Sequence, residues 1–210
     1  MIALFGGTFD PVHLGHVAAA ETARQVLGAP QVRMVLARQP YHKPESGGAT
    51  AAQRRDMLIL ACDEHSQLVA DDSELAGEGP SFTVDLLERR AQVDTLERRC
   101  WIIGTDAFAP ILGWRRVEDV FRLSSFLVLT RAGSPPDFDE PLRTFIQPRL
   151  VDRLDQALHG QVMIVAADLP DISSSRVRQA IHAGENEREV ASRWLVPAVS
   201  DYIRKNRLYA

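Results

Sequence analysis

The sequence predicts an α/β fold: an open parallel sheet with helices on both faces and a small helical annex at the C-terminal end. Three observations predict it. Short apolar runs alternate with longer stretches of helical periodicity over all 210 residues. Most of those runs are apolar at every position, as strands covered on both faces are. No Gly/Ser linker, repeat or low-complexity tract divides the chain, so one domain over 1–210 is expected, with 170–210 as the annex.

Taken in order, residues 2–5, 32–37, 101–103, 126–130 and 162–167 read as strands. In 14–28, Val17, Ala20, Ala23 and Leu27 recur at three- and four-residue steps before Gly28 and Pro30 stop the pattern. Residues 50–66 open with Thr50 and carry Gln53 three places on, a capping box. Ser81 is expected to cap 82–93, and Ser173 to cap 174–183 ahead of Gly184. A last helix follows Pro197, with Val199, Ile203, Leu208 and Tyr209 as its buried side. Segments 38–49 and 132–149 are rich in Pro, Gly or Ser and read as long loops, which often carry function. Strands joined by helices in this way make a Rossmann-like sheet with right-handed crossovers. Ligands then gather at the carboxyl ends of the strands.

Composition narrows the partners. Lys plus Arg is 24 against 28 for Asp plus Glu, a formal charge of −4, which argues against a nucleic-acid binder. Cys62 and Cys100 cannot build a disulfide framework and read as inert packing residues, so a reduced cytoplasmic setting is expected. Met1 leads straight into an apolar run with no basic lead-in, and no run approaches the ~20 residues a membrane helix needs. Neither secretion nor a membrane is expected. Self-association is left open.

The loop after the first strand is the most informative stretch: Gly6-Gly7-Thr8-Phe9-Asp10-Pro11-Val12-His13-Leu14-Gly15-His16. Two glycines are expected to turn the backbone sharply and to admit a bulky anion. A helix starts near His13, and its N-terminus is a phosphate seat. His13 and His16 are three apart, so both rings share one face and can donate to phosphoryl oxygens as charge builds there. Gly15 removes a side chain that would crowd that face. Asp10 beside Pro11 reads as a loop-fixing acceptor. A mere turn with surface histidines does not explain the glycines, the HxGH spacing and the strand-to-helix placement together. A metal pair is the other reading, but no HExxH pattern, third His or Cys stands nearby, so no metal ligands are assigned.

A second loop of the same kind precedes the annex: Asp171-Ile172-Ser173-Ser174-Ser175-Arg176-Val177-Arg178. It follows a strand and opens a helix. By itself it is a Ser-capped helix with solvated arginines; beside the first loop it offers hydroxyls and a guanidinium fork to polyphosphate oxygens. No GxxxxGK[ST], dinucleotide fingerprint or GxSxG elbow competes with this reading.

The first loop resembles the (H/T)xGH signature of the nucleotidylyltransferase superfamily, and the second its ISSTxIR motif, with Ser175 keeping the hydroxyl of the Thr. Ser81-Phe82-Thr83-Val84-Asp85-Leu86-Leu87 is similar to the S(Y/F)TxDTL segment of bacterial nicotinate-nucleotide adenylyltransferases. Gly104-Thr105-Asp106-Ala107-Phe108 with Trp114 resembles their GxDxF…W segment, and Tyr41-His42-Lys43-Pro44 their PPHK loop. Pro197, Tyr202, Ile203, Leu208 and Tyr209 resemble their C-terminal ending. The likeness runs collinearly over 1–210. Arg115 stands where many members carry a second aromatic residue.

That resemblance implies adenylyl transfer from ATP to nicotinate mononucleotide, giving deamido-NAD and pyrophosphate, by direct in-line attack. His13 and His16 are then the catalytic donors. ATP contacts are implied for Gly6, Gly7, Thr8, Phe9, His16, Lys43, Gly104, Asp106, Arg131, Ile172, Ser173, Ser174 and Arg176. Nicotinate mononucleotide contacts are implied for Gly7, Thr8, Phe82, Thr83, Trp114 and Arg115, with Trp114 stacking on the pyridine ring. Mg²⁺ is expected to arrive on the ATP phosphates. Each role has a plainer rival: Trp114 as core packing, Thr83 as a first-turn residue, Asp106 as a helix cap, Lys43 as a solvated side chain. At the level of function the rivals are another superfamily transferase, such as phosphopantetheine adenylyltransferase or a cytidylyltransferase, and a nucleotide sensor without turnover. Segments 81–87 and 104–114 weigh against the first, and the intact His13, His16, Ser174 and Arg176 against the second.

Overall fold

A computed structural model describes residues 1–38, 48–77, 79–93, 98–131, 133, 136–155 and 158–210. Six strands form one parallel sheet: β1 (Ile2–Gly7), β2 (Val32–Leu36), β3 (Leu68–Asp71), β4 (Arg99–Gly104), β5 (Ser125–Arg131) and β6 (Val162–Ala167), in the order β3-β2-β1-β4-β5-β6. The five expected strands are present, and β3 is an addition. It has four residues, carries Asp71 and lies at the sheet edge beside β2, so its apolar signal is short and broken.

Alternate side chains of each strand enter opposite layers, as the pleat requires. Ala3, Met34, Ile102, Leu127 and Leu129 face one core, under helices α1 (Leu14–Leu27), α2 (Ala51–Asp63), α7 (Ser174–His182), α8 (Glu185–Trp194) and α9 (Pro197–Asn206). Leu4, Val35, Trp101, Ile103, Phe126 and Val128 face the other, under α3 (Thr83–Val93), α5 (Val117–Leu123) and α6 (Glu140–Ile146). The short helix α4 (Thr105–Phe108) caps the end of β4. Fully burying one such aliphatic or aromatic side chain is worth about 1.5–3 kcal/mol, which is why unbroken apolar strands select this two-sided arrangement. Cys62 and Cys100 both belong to the first core, where burial pushes each thiol up to about 12.

Local signals set most helix ends. Thr50 and Gln53 exchange bonds as a capping box at α2, Ser173 caps α7, and Gly28 closes α1 at φ 59°. Ser81 departs from expectation: its hydroxyl accepts the Arg38 N–H at 3.0 Å and bonds the Glu74 carboxyl. The segment 132–149, read as a loop, contains α6, which Asp139 caps by accepting the Leu142 N–H. Val199 and Ile203 are buried on α9, and Leu208 and Tyr209 are part-buried against the same core. Strand order reverses between β1 and β4, neighbours in the sheet, so the crevice at their carboxyl ends is the ligand position of such folds.

Candidate active site

Gly6 and Gly7 lie inside β1, not in a turn as their composition suggested. They are small because of packing: a Cβ on Gly6 would stand 2.3 Å from Cζ2 of Trp101, and one on Gly7 2.8 Å from the Phe9 ring. The turn is made further on, by 8–12, with Phe9 at φ 48°. The Phe9 side chain is buried, its ring edge-on to His16 at 5.0 Å, and it lines no part of the cavities. The expected Phe9 contact is therefore unavailable to its side chain.

His13 ends the turn as the N-cap of α1. Its Nδ1 accepts the His16 N–H, and Nδ1 of His16 accepts the His13 N–H, each at 3.3 Å. The rings stack with centroids 3.7 Å apart. Because each Nδ1 is an acceptor, a neutral imidazole carries its proton on Nε2, so both residues present an Nε2–H donor. Burial lowers the His13 pKa to about 4, keeping it neutral at physiological pH. A Cβ on Gly15 would sit 3.0 Å from His13 Nδ1, so the glycine leaves room for this pairing.

The second loop meets the first. Ser174 Oγ donates to Pro11 O at 3.0 Å, and Arg178 donates to Asp10 O at 2.6 Å. The N-termini of α1 and α7 therefore open on one cavity of about 780 Å³, lined by His13, His16, Gly104, Asp106, Arg131 and Ile172–Ser174 among others. Two helix N-termini and two ring N–H donors around one space supply the partial positive charge and the donors that binding a polyanion requires. Arg131 pairs with Asp171 at its edge. Arg176 does not line this cavity: it bonds Asp171 O at 3.2 Å and lies over the Trp194 ring at 5.0 Å. A helix turns about 100° per residue, so with Arg176 turned from this cavity Arg178, two residues on, is the arginine on the loop side.

A second cavity of about 420 Å³ adjoins the first, sharing Gly6, Ile103 and Ala107 with it. Gly7, Thr8, Phe82, Thr83, Trp114 and Arg115 all line it, in agreement with their grouping by sequence. Its floor is apolar and its rim carries the N-terminus of α3. The Arg115 guanidinium lies 4.7 Å above the Phe82 ring and 3.6 Å from Asp85. Glu74, unsuspected from sequence, lines this cavity; burial raises its carboxyl, and its bond to Ser81 opposes the shift. Lys43 and its neighbours Tyr41, His42 and Pro44 lie outside the described residues. Among the described residues, no group of three or more His, Cys, Asp or Glu side chains is placed to hold an ion.

Arg54 is the other residue that sequence reading passed over. It is buried and donates to Thr8 O, Ala37 O and Arg38 O at 2.8, 2.7 and 2.6 Å, joining the turns after β1 and β2. The signal was present: a charged residue at the apolar-face spacing of Met57, Leu58 and Ala61. Asp10 acts as the expected acceptor, with Ala49 N–H on its Oδ1 at 3.0 Å.

A family model described as cytidylyltransferase-like matches residues 4–180. A curated relative from Chromobacterium violaceum, named probable nicotinate-nucleotide adenylyltransferase, is 34% identical over 99% of this chain and 98% of its own. One of the same name from Stenotrophomonas maltophilia is 38% identical over 98% of this chain and 95% of its own. Among solved structures, the Plasmodium falciparum nicotinic acid mononucleotide adenylyltransferase complexed with NaAD superposes with a TM-score of 0.75 at 19% identity, covering 99% of this chain and 96% of that one. At that identity the likeness speaks for the fold.

Proposed function

The chain belongs to the cytidylyltransferase-like family and to its nicotinate-nucleotide adenylyltransferases, and from that premise we propose how its two cavities divide the reaction. The enzyme transfers the adenylyl group of ATP to nicotinate mononucleotide, a step of NAD biosynthesis. ATP takes the larger cavity, its phosphates between the N-termini of α1 and α7. The mononucleotide takes the smaller one, its pyridine ring against Trp114 and its carboxylate at the N-terminus of α3. The observation that supports this reading is the shared wall at Gly6, Ile103 and Ala107, across which two substrates bound in these cavities would lie side by side.

A phosphate monoester is already an adequate nucleophile at neutral pH, so no side chain has to take its proton. A mononucleotide phosphate oxygen attacks the α-phosphorus, a new P–O bond forms, and the bond to the β-phosphate bridge breaks to release pyrophosphate. The protein aligns the three groups and stabilises charge on the oxygens that gain it. His13 and His16 donate from Nε2 to those oxygens, with the backbone N–H groups at the start of α7 on the leaving side, where the Ser174 hydroxyl holds that start against Pro11 O. Mg²⁺ fits as a passenger on the triphosphate, since Asp106 and Asp137 are the carboxylates lining that cavity. Bound there it would neutralise phosphate charge. A cytoplasmic location agrees with ATP and the mononucleotide as substrates; no helix among the described residues is long and apolar enough to cross a membrane.

Purified protein given ATP, Mg²⁺ and either nicotinate or nicotinamide mononucleotide tests the reading by dinucleotide formation and pyrophosphate release. Turnover with nicotinate mononucleotide is expected. An α-thiophosphate ATP of known chirality should give product inverted at phosphorus; retention would reveal a covalent intermediate and overturn direct attack.

A further inference from the structure

We propose that Tyr209 is a positioning residue for adenylyl transfer, acting through Asp10 on the turn that carries His13 and His16. Tyr209 follows α9 and adopts φ 62°, a backbone conformation that non-glycine residues rarely take. Its hydroxyl donates to Asp10 Oδ1 at 2.6 Å, across 199 positions of sequence. Burial first, and the Asp10 contact second, hold the phenol far above its ordinary range, so it remains a donor at every working pH.

Asp10 is held on all sides. Its Oδ1 also accepts the Ala49 N–H at 3.0 Å, just ahead of the Thr50 cap of α2. Its Oδ2 faces the Arg178 guanidinium at 3.9 Å, and a Cβ on Gly48 would stand 2.3 Å from the same oxygen. Its own carbonyl accepts from Arg178 at 2.6 Å. Asp10 thus joins the end of α9, the start of α2 and α7 at one carboxylate. His13 is three residues further on, and the two imidazoles are locked to each other through backbone N–H groups. They move as a unit with the turn. Losing the Tyr209 hydroxyl leaves Asp10 Oδ1 with a single donor and removes one of the ties that set the height of that unit, the Ser174–Pro11 and Arg178–Asp10 bonds remaining. Donors aimed at developing charge are sensitive to small displacements, so the loss falls on turnover more than on substrate binding.

Tyr202 supplies the control. It lies on α9, and its hydroxyl donates to Asp56 Oδ2 on α2 at 2.9 Å, the same chemistry directed to a helix rather than to the turn. If these tyrosines served only to dock the C-terminal segment, removing either hydroxyl would have the same consequence.

The proposal rests on the transfer reaction assigned above: the parent enzyme's turnover tests that reaction, and the ratio of variant to parent tests Tyr209. Tyr209→Phe and Tyr202→Phe are compared with the parent by thermal melting and by kcat and KM for both substrates. Tyr209→Phe is expected to lower kcat about tenfold with KM changed less than twofold, while Tyr202→Phe keeps kcat within twofold of the parent. Parent-level turnover in Tyr209→Phe, a loss confined to KM, or an equal loss in Tyr202→Phe overturns the proposal. Asp10→Ala tests the same contact from the other side and is expected to lower kcat, with Tyr209→Phe adding no further loss in that background. Undiminished kcat in Asp10→Ala, or an additive loss in the double variant, refutes it even if Tyr209→Phe alone does not fold.

Discussion

The Ser174 hydroxyl donates to the carbonyl oxygen of Pro11 at 3.0 Å, joining residues 163 positions apart. This bond fastens the N-terminus of α7 to the turn that ends in His13. Two helix N-termini, each a weak attractor of anions alone, thereby open on one cavity, where the proposed reading seats the ATP phosphates. Several consequences of that arrangement are measurable.

His16→Ala removes an Nε2–H donor and also the acceptor of the His13 N–H. In the proposed role its bond to phosphate strengthens as charge develops, so kcat should fall by at least ~100-fold while KM for ATP changes little. Initial rates of pyrophosphate release at saturating substrates measure it. Unchanged turnover would remove His16 from the chemistry.

Trp114 lines the smaller cavity and has no part in the larger one, to which the proposed reading assigns the ATP phosphates. Stacking on a pyridine ring is nearly the same in the ground and transition states. Trp114→Ala should therefore raise KM for nicotinate mononucleotide several-fold, by about 1 kcal/mol of aromatic contact, and leave kcat close to the parent value. A fall in kcat at constant KM would contradict the placement.

His13 predicts a pH-dependence of stability. Its pKa falls from 6.5 to about 4 on folding, because burial penalises the imidazolium. Below 6.5 the unfolded chain binds a proton that the native state refuses, so stability is complete above 6.5 and is lost as pH drops toward 4. At about 1.4 kcal/mol per pH unit the loss amounts to roughly 3 kcal/mol. Denaturant melts of the parent and His13→Asn at pH 7 and pH 4.5 should show a smaller acid loss in the variant. Parallel losses would mean that His13 is not the group.

Gly6→Ala places a methyl 2.3 Å from the Trp101 ring, which is itself buried in the sheet's second core. Overpacking of this kind costs about 1–3 kcal/mol. The variant should melt earlier than the parent and show altered Trp fluorescence. A melting temperature equal to the parent's would show that the site can absorb the side chain.

The regular frame was legible before any coordinates. Strand runs such as 126–130, the Thr50–Gln53 box, the Ser173 cap and the Gly28 stop are local signals, and local signals survive folding because they act over one turn or one pleat. Edge strand β3 escaped notice because four residues ending in Asp carry little periodicity, and α6 because Pro-rich flanks masked its Asp139 cap. The two histidines and the two helix ends around the larger cavity were also readable, since their residue types stand at spacings that a strand-to-helix turn imposes, whereas Phe82, Thr83, Trp114 and Arg115 were grouped through the family resemblance alone and Glu74 beside them went unnoticed.

What needed three dimensions was everything carried by contacts distant in sequence. No pattern announces that Arg54 serves three carbonyl oxygens, that Arg176 turns away while Arg178 reaches Asp10, or that Gly6 and Gly7 are small for the sake of Trp101 and Phe9. A chain's own order encodes neighbours a few residues apart through helical and pleated periods. Which distant groups meet depends on strand order and register, and these follow from packing the whole core at once.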